Sequence, residues 1–395
     1  MSLVIVSTHP IQYQAPVYRA VQQNFGIPVT VIYGSDFSIK GYKDREFDTT
    51  FAWDTDLLSG YASIFLSRIE QGKGSKERDS QGGISKILRS INPQAVMILG
   101  YSPCFHQKAF CLAWRAGYPI LFRGETTDHA HRRNPLAAWM RDRVLRWMYK
   151  RCFRLLYVGR HSYQHYKRLR CPEEKLIFSP YCVDTEPFQC DEEARLCLRG
   201  GIRQQLGVDE NDRVLLFSGK LSSRKGVELL LEAVKHLPQH IRESVTVMLL
   251  GSGKLKSVFQ DFAQNPPTVK LHFIGFKNQS ELSGYYHAAD VLALPSKHSE
   301  TWGLVVNEAL HHGLPAVVSS AVGCAPDLIE PGLTGEIFQT GSMESLKEAL
   351  QKIFARVGSL QMRQHCRTKI ENYTVEKAAE GIAQAYKDAV GSSLK

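Results

Sequence analysis

The chain has 395 residues, 43% of them hydrophobic, which exceeds what one core of ordinary size holds, so two domains with a cleft between them are expected. Its net charge of +10 is uneven: 26 Lys+Arg face 15 Asp+Glu up to Thr185, and twelve basic residues face the single acid Asp142 between His131 and Arg170, a field that favours an anionic partner. No run reaches the ~18 apolar residues of a spanning helix, the short apolar run Leu3–Val6 is expected to be a buried strand and not a signal peptide, and nine cysteines without zinc spacing read as buried thiols of a reducing cytoplasm.

In chain order, short β-branched runs at Leu3–Ser7, Val29–Tyr33, Ala95–Leu99, Ile120–Arg123 and Leu155–Val158 alternate with helical patterns. The loop Thr8–Gln12 after the first run places His9 at a strand's carboxyl end, as a candidate for substrate contact or for turn packing. A polar segment at 66–90 reads as a loop. After Ile120–Arg123, the stretch FRGETTDH offers Arg123, Glu125, Asp128 and His129 as candidates to orient an acceptor, each of which could equally be a satisfied loop polar group. Residues 134–157 join Trp139, Met140, Trp147, Met148 and Tyr149 to six Arg or Lys residues. That is the composition of a helix at an anionic membrane surface, or of a core helix with solvated arginines.

Residues 179–191 lack periodicity and carry two prolines, so the linker is expected there, with one domain over 1–185 and another over 186–374. A second series of strands follows at Val214–Ser218, Val245–Leu250, Leu271–Ile274, Val291–Leu294 and Ala316–Val318. The alternation predicts an α/β fold of two doubly wound parallel sheets. Residues 375–395 should form a closing helix that packs back on the first domain.

The second half carries the chemistry. Glu300 and Glu308, with seven residues between them in PSKHSETWGLVVNEAL, straddle the expected start of a helix near Gly303, at a strand's carboxyl end where open α/β sheets bind ligands. Two carboxylates there can accept hydrogen bonds from sugar and ribose hydroxyls, with a diphosphate between them over the helix N-terminus. Alone, the spacing is common. Upstream, Gly219-Lys220-Leu-Ser-Ser-Arg224-Lys225-Gly226 is a turn rich in small and basic residues, and Gly251-Ser-Gly253 lets backbone approach closely.

Together these segments resemble glycosyltransferase family 4. Glu300-Thr-Trp302-Gly303-Leu304-Val-Val-Asn-Glu308-Ala is similar to its E-G-F-G-L-x-x-x-E-A signature, and 219–226 to its G-R-L-x-x-x-K-G segment. The resemblance implies the GT-B fold, with Glu300 on the donor sugar and Glu308 on the ribose. Lys225, with Lys220 or Arg224, would hold the diphosphate, and Ile274, Phe276 and Lys277 are candidates to read the base. Lys220 stands where the family has Arg and loses bidentate geometry. Cys324 and Asp327 depart from the family's Gly-Gly-x-x-Glu, and Tyr181-Cys182 from its linker Asn-Gly. The implied reaction is retaining transfer from a nucleotide-sugar, UDP- or GDP-linked, to a glycan or lipid-linked acceptor, in polysaccharide or glycolipid synthesis, with Glu300, Lys225, Glu125 and His129 at the reacting centre. Neither a separate cofactor nor a metal is implied, because the cations and helix N–H groups neutralise the leaving group. The alternatives are a nucleotide-sugar epimerase of the same fold, or a non-catalytic carbohydrate- or nucleotide-binding protein. No nucleic-acid-binding motif is present. The expected location is the cytoplasm, peripheral to its membrane through residues 131–170.

Overall fold

The computed structural model describes residues 2–39, 42–44, 49–51, 55–68, 83–128, 134–264 and 269–393. The first half runs β1 (Leu3–Ser7), α1 (Ala15–Phe25), β2 (Val29–Tyr33), β3 (Tyr42–Asp44), β4 (Thr49–Phe51), β5 (Ala62–Phe65) and α2 (Ile84–Ile91). It continues with β6 (Ala95–Ile98), α3 (Cys104–Arg115), β7 (Ile120–Arg123), α4 (Pro135–Arg151), β8 (Arg154–Tyr157), α5 (Arg160–Arg168) and β9 (Leu176–Phe178). The second half begins α6 (Glu192–Leu206), β10 (Arg213–Ser218), α7 (Val227–Lys235), α8 (Gln239–Arg242), β11 (Val245–Leu250), α9 (Lys256–Gln264), β12 (Lys270–Gly275) and α10 (Gln279–Ala288). It ends β13 (Val291–Leu294), α11 (Leu304–His311), β14 (Ala316–Ser319), α12 (Ala325–Leu328), β15 (Gly335–Phe338), α13 (Met343–Phe354), α14 (Leu360–Ile370) and α15 (Val375–Ser393).

Two parallel sheets result, in the orders β5-β2-β1-β6-β7-β8-β9 and β12-β11-β10-β13-β14-β15, beside a small antiparallel β3–β4 ribbon. Their central strands are apolar throughout because helices cover both faces, so Leu3–Val6 and Val291–Leu294 are fully buried. In each sheet the strand order reverses once, between β1 and β6 and between β10 and β13, and ligand crevices open at the carboxyl ends of such pairs.

The chain's last helix returns to the first half. Helix α15 packs Ala379, Ile382 and Tyr386 against the core that holds Leu3, Ile5 and Tyr18. Ser179 Oγ donates to the Ala378 carbonyl at 2.9 Å, and Arg154 pairs with Asp388 at 2.8 Å. Between the halves, Val158, Tyr181 and Val183 share one apolar cluster with Trp302, Val306 and Leu328. All nine cysteines are unpaired; Cys104 and Cys197 are exposed, which corrects the expectation that every thiol is buried. Both lie on surface helices, where a small side chain needs no burial. The segment 69–82, most of the polar stretch read from the sequence, lies outside the described residues.

Candidate functional site

The loops that follow β10 and β13 carry the charged groups. After β10, residues 219–226 turn through a short 3-10 helix, Ser223–Lys225, which aims Lys225 inward; its side chain is largely buried. After β13, Glu300 receives Lys225 Nζ in an ion pair, accepts from Ser296 Oγ at 2.8 Å, and has Arg224 at 3.8 Å. The turn at 322–324 clamps this loop from outside: Gly323 N donates to the Glu300 carbonyl at 3.1 Å and Cys324 N to that of Trp302 at 2.9 Å. Helix α11 then starts at Leu304, after Gly303 in the left-handed region at φ 104°, where any other residue would be strained. Its free N–H groups therefore open beside Glu300, Arg224 and Lys225.

Glu308 lies one turn inside α11 and is buried. Its carboxylate accepts from Tyr286 Oη at 2.5 Å, and the phenol of Tyr13, on the loop after β1 in the other half, lies beside it. Burial raises its pKa to about 7, the two phenols pulling the other way.

Across the crevice, the carboxyl ends of β1, β6 and β7 surround a cavity of about 470 Å³ lined by Thr8, Tyr101, His106, Glu125, Arg141 and, from the second half, Thr301. Glu125 accepts from Thr301 Oγ1 at 3.3 Å, so the two halves touch next to Glu300. Crowding by the cleft walls pushes the Glu125 carboxyl up to about 7 against the pull of Arg123 and Thr301. Its side chain still meets the cavity's solvent, which moderates that rise. His106 donates from Nδ1 to the Ser102 carbonyl at 3.0 Å, since a carbonyl can only accept; Nε2 is then a bare lone pair, and it is buried without a partner. Burial lowers the pKa of His106 and takes that of His9 down to about 4, so both imidazoles are neutral near pH 7.

The structure thus gathers Arg224, Lys225, Glu300, Gly303 and Leu304 at one crevice, with Lys220 half-buried in the same loop and Glu125 facing them. Ile274 and Phe276 lie half-buried at and beyond the end of β12. Two expectations need correction, for Trp302 and for the Gly251–Gly253 turn, and for Asp128 and Arg123 the structure favours the satisfied polar group of the two alternatives. Trp302 turns its indole away: Nε1 donates to Asn307 Oδ1 at 2.8 Å, and the ring packs between Tyr181 and Tyr373, where it joins the halves. The bareness of Gly251 and Gly253 serves contact between two loops, since a Cβ would stand 2.0 Å from the Gly219 carbonyl and 2.4 Å from that of Leu221. Asp128 pairs with Arg168, Arg141 and His165, and against burial, which raises it, His165 and Arg168 hold its carboxyl well below the usual range; Arg123 spends its guanidinium on the carbonyls of Ser179 and Pro180. His129 lies outside the described residues. His9 bonds Thr8 at 2.9 Å and leans on Phe37.

Sequence reasoning missed Tyr13, Tyr286 and His106, none of which stands in a motif. It noted Asp327 only as a departure, yet this carboxylate accepts from Arg160 N at 2.9 Å and from Tyr373 Oη at 3.0 Å, capping α5 of the other half.

Residues 199–373 match the family described as glycosyl transferases group 1. Over 38% of this chain, a D-inositol 3-phosphate glycosyltransferase of Xylanimonas cellulosilytica is 31% identical and the lipopolysaccharide glucosyltransferase WaaG of Escherichia coli 30% identical, with 36% and 39% of those proteins covered. The chain therefore spans well under two thirds of the length of these curated relatives. Sucrose-phosphate synthase from Thermosynechococcus elongatus superposes with a TM-score of 0.70 at 17% identity, over 99% of this chain and 100% of that one. Anabaena HepE in complex with UDP gives 0.71 at 17% identity, over 98% and 100%. At such identities the likeness is one of fold: two Rossmann-like domains in the GT-B arrangement.

Proposed function

We propose that the chain, whose residues 199–373 match the family described as glycosyl transferases group 1, moves a sugar from a nucleotide-diphosphate-sugar, UDP- or GDP-linked, to a glycan or lipid-linked acceptor with retention of configuration. The observation that carries this reading is the convergence of Arg224, Lys225, Glu300 and the α11 N-terminus at one crevice. A diphosphate placed there meets two cations and free N–H groups, while Glu300 offers oxygens to sugar hydroxyls. Glu308 would accept from the ribose in place of Tyr13. The sugar's anomeric carbon parts from the phosphate oxygen and bonds the acceptor oxygen on the same face. The acceptor's proton passes to the departing phosphate, whose charge Lys225 and Arg224 stabilise; in this reading the leaving group needs no metal.

On the acceptor side, Glu125, which meets the cavity's solvent, is the group that would receive a hydroxyl hydrogen, which suits a carbohydrate more than an apolar acceptor. Polysaccharide or glycolipid synthesis in the cytoplasm fits the unpaired cysteines. The test is release of nucleoside diphosphate from a panel of nucleotide-sugars, followed by the anomeric configuration of the product. Lys225→Ala should slow turnover or weaken donor binding at least tenfold, about 1.4 kcal/mol. Wild-type kinetics in that variant, or donor binding by the native chain with no turnover of any sugar, would refute the assignment.

A further inference from the structure

Helix α4 carries large apolar side chains on the face turned to solvent. Leu136 is 68% exposed, and Trp139, Met140 and Val144 are each 57% exposed. Their spacing of three and four residues puts them on one side of the helix, while Leu145, Met148 and Tyr149 fill the core on the other. Guanidinium groups edge this strip: Arg143 lies 5.0 Å over the Trp139 ring, and Arg151 lies 4.1 Å over Trp147 and 4.8 Å over Trp114. Apolar rings capped by cations are the arrangement of a side that is dry below and charged at its rim.

At the carboxyl end of α4 lies a cavity of about 550 Å³ with Tyr149 and Leu169 in its walls, four cations, Arg146, Lys150, Arg170 and Lys175, and no carboxylate. Lys175 is anchored, donating to the carbonyls of Lys150 at 3.1 Å and Cys152 at 2.7 Å. Among the described residues no ion pair engages Arg146, Lys150 or Arg170, and the adjacent Glu173 is turned to Lys167 and Tyr163. Arg170 sits in the left-handed region at φ 60°, just past the end of α5, where Gly or Asn is the unstrained choice. The cavity lies at the edge of the sheet where β8 and β9 begin, whereas Arg141, earlier on α4, lines the cleft at the opposite edge. It is thus separate from the donor and acceptor crevice.

We propose that the outer face of α4 and this cationic cavity form one docking surface for an anionic lipid bilayer. The strip from Leu136 to Val144 enters the boundary between headgroups and acyl chains, and the cavity receives a phosphate-bearing headgroup. A soluble phosphate or a nucleic acid would leave the apolar strip without a use. Arg143, Arg146, Lys150, Arg151 and Arg170, which no ion pair among the described residues engages, supply the complementary charge. This goes beyond the transferase reading and stands or falls apart from it.

The test is sedimentation of the full chain with vesicles of phosphatidylcholine alone or with about one third phosphatidylglycerol. The wild-type chain should bind the anionic vesicles at least about tenfold better, and both Trp139→Ser with Met140→Ser and Arg146→Glu with Lys150→Glu should lose at least about fivefold of that binding at unchanged melting temperature. Val144→Ser, a single exposed change, repeats the strip test should the first pair melt early. No vesicle binding, or binding indifferent to these changes, overturns the proposal. So does a rise in melting temperature with inorganic phosphate without vesicle binding, which would mark a free-anion site, or a solution dimer dissolved by Trp139→Ser, which would mark a second copy as the occupant.

Discussion

Glu308 shows how a binding carboxylate can be kept ready at a cost in stability. Its folded pKa of about 7 lies above the ordinary 4.5, so folding favours the protonated form. That contribution is complete below pH 4.5 and is lost as pH rises through 7. Glu308→Gln removes the titration, so its melting temperature should gain on the wild type between pH 5 and pH 8, corresponding to up to about 3 kcal/mol. A difference between the two proteins that does not change with pH would show that Glu308 ionises normally. The identity of this residue was legible from its motif, but its setting was not: Tyr13 lies 295 positions earlier in the chain, and only the docking of the two halves brings its phenol to α11. Trp302 shows the converse, a motif position whose side chain turns to the joint between the halves because Asn307 and Tyr181 give it a partner there.

At the level of elements, the central strands were readable because burial on both faces leaves near-continuous apolar runs, as in Val245–Leu250 and Val291–Leu294. Strands β5, β9 and β15 were not. Ala62–Phe65 and Leu176–Phe178 are short and only half buried at the sheet's edges, and Gly335–Phe338 opens on a glycine and alternates with Glu336, so each lacks the apolar run that marks a central strand. The turn after β10 shows local geometry fixing a site residue. Gly226, at φ 70°, passes so near the next loop that a Cβ would stand 2.2 Å from the Pro295 carbonyl. Gly226→Ala should therefore cost about 1–2 kcal/mol in strain, shift Lys225 from Glu300, and weaken nucleotide-sugar binding at least tenfold. Gly200→Ala, in helix α6 with open space around it, should leave binding unchanged. Equal binding in both variants would mean that the turn does not set the position of Lys225.

Over the whole molecule, the two sheets face each other through their carboxyl ends, and the joint is polar as well as apolar. Asp327 caps α5, Thr301 meets Glu125, and Tyr13 lies beside Glu308, so these three contacts between the halves gather around the crevice. A donor entering it would exchange the Tyr13 phenol for a ribose hydroxyl and should stabilise both halves together by mass action. The most direct measurement is the melting temperature of the full chain across UDP-, GDP- and ADP-sugars, repeated for Glu308→Ala. A rise with one nucleotide class, lost in Glu308→Ala, is the expected result. No rise with any of them, or a rise that Glu308→Ala leaves intact, would contradict a donor site at this crevice.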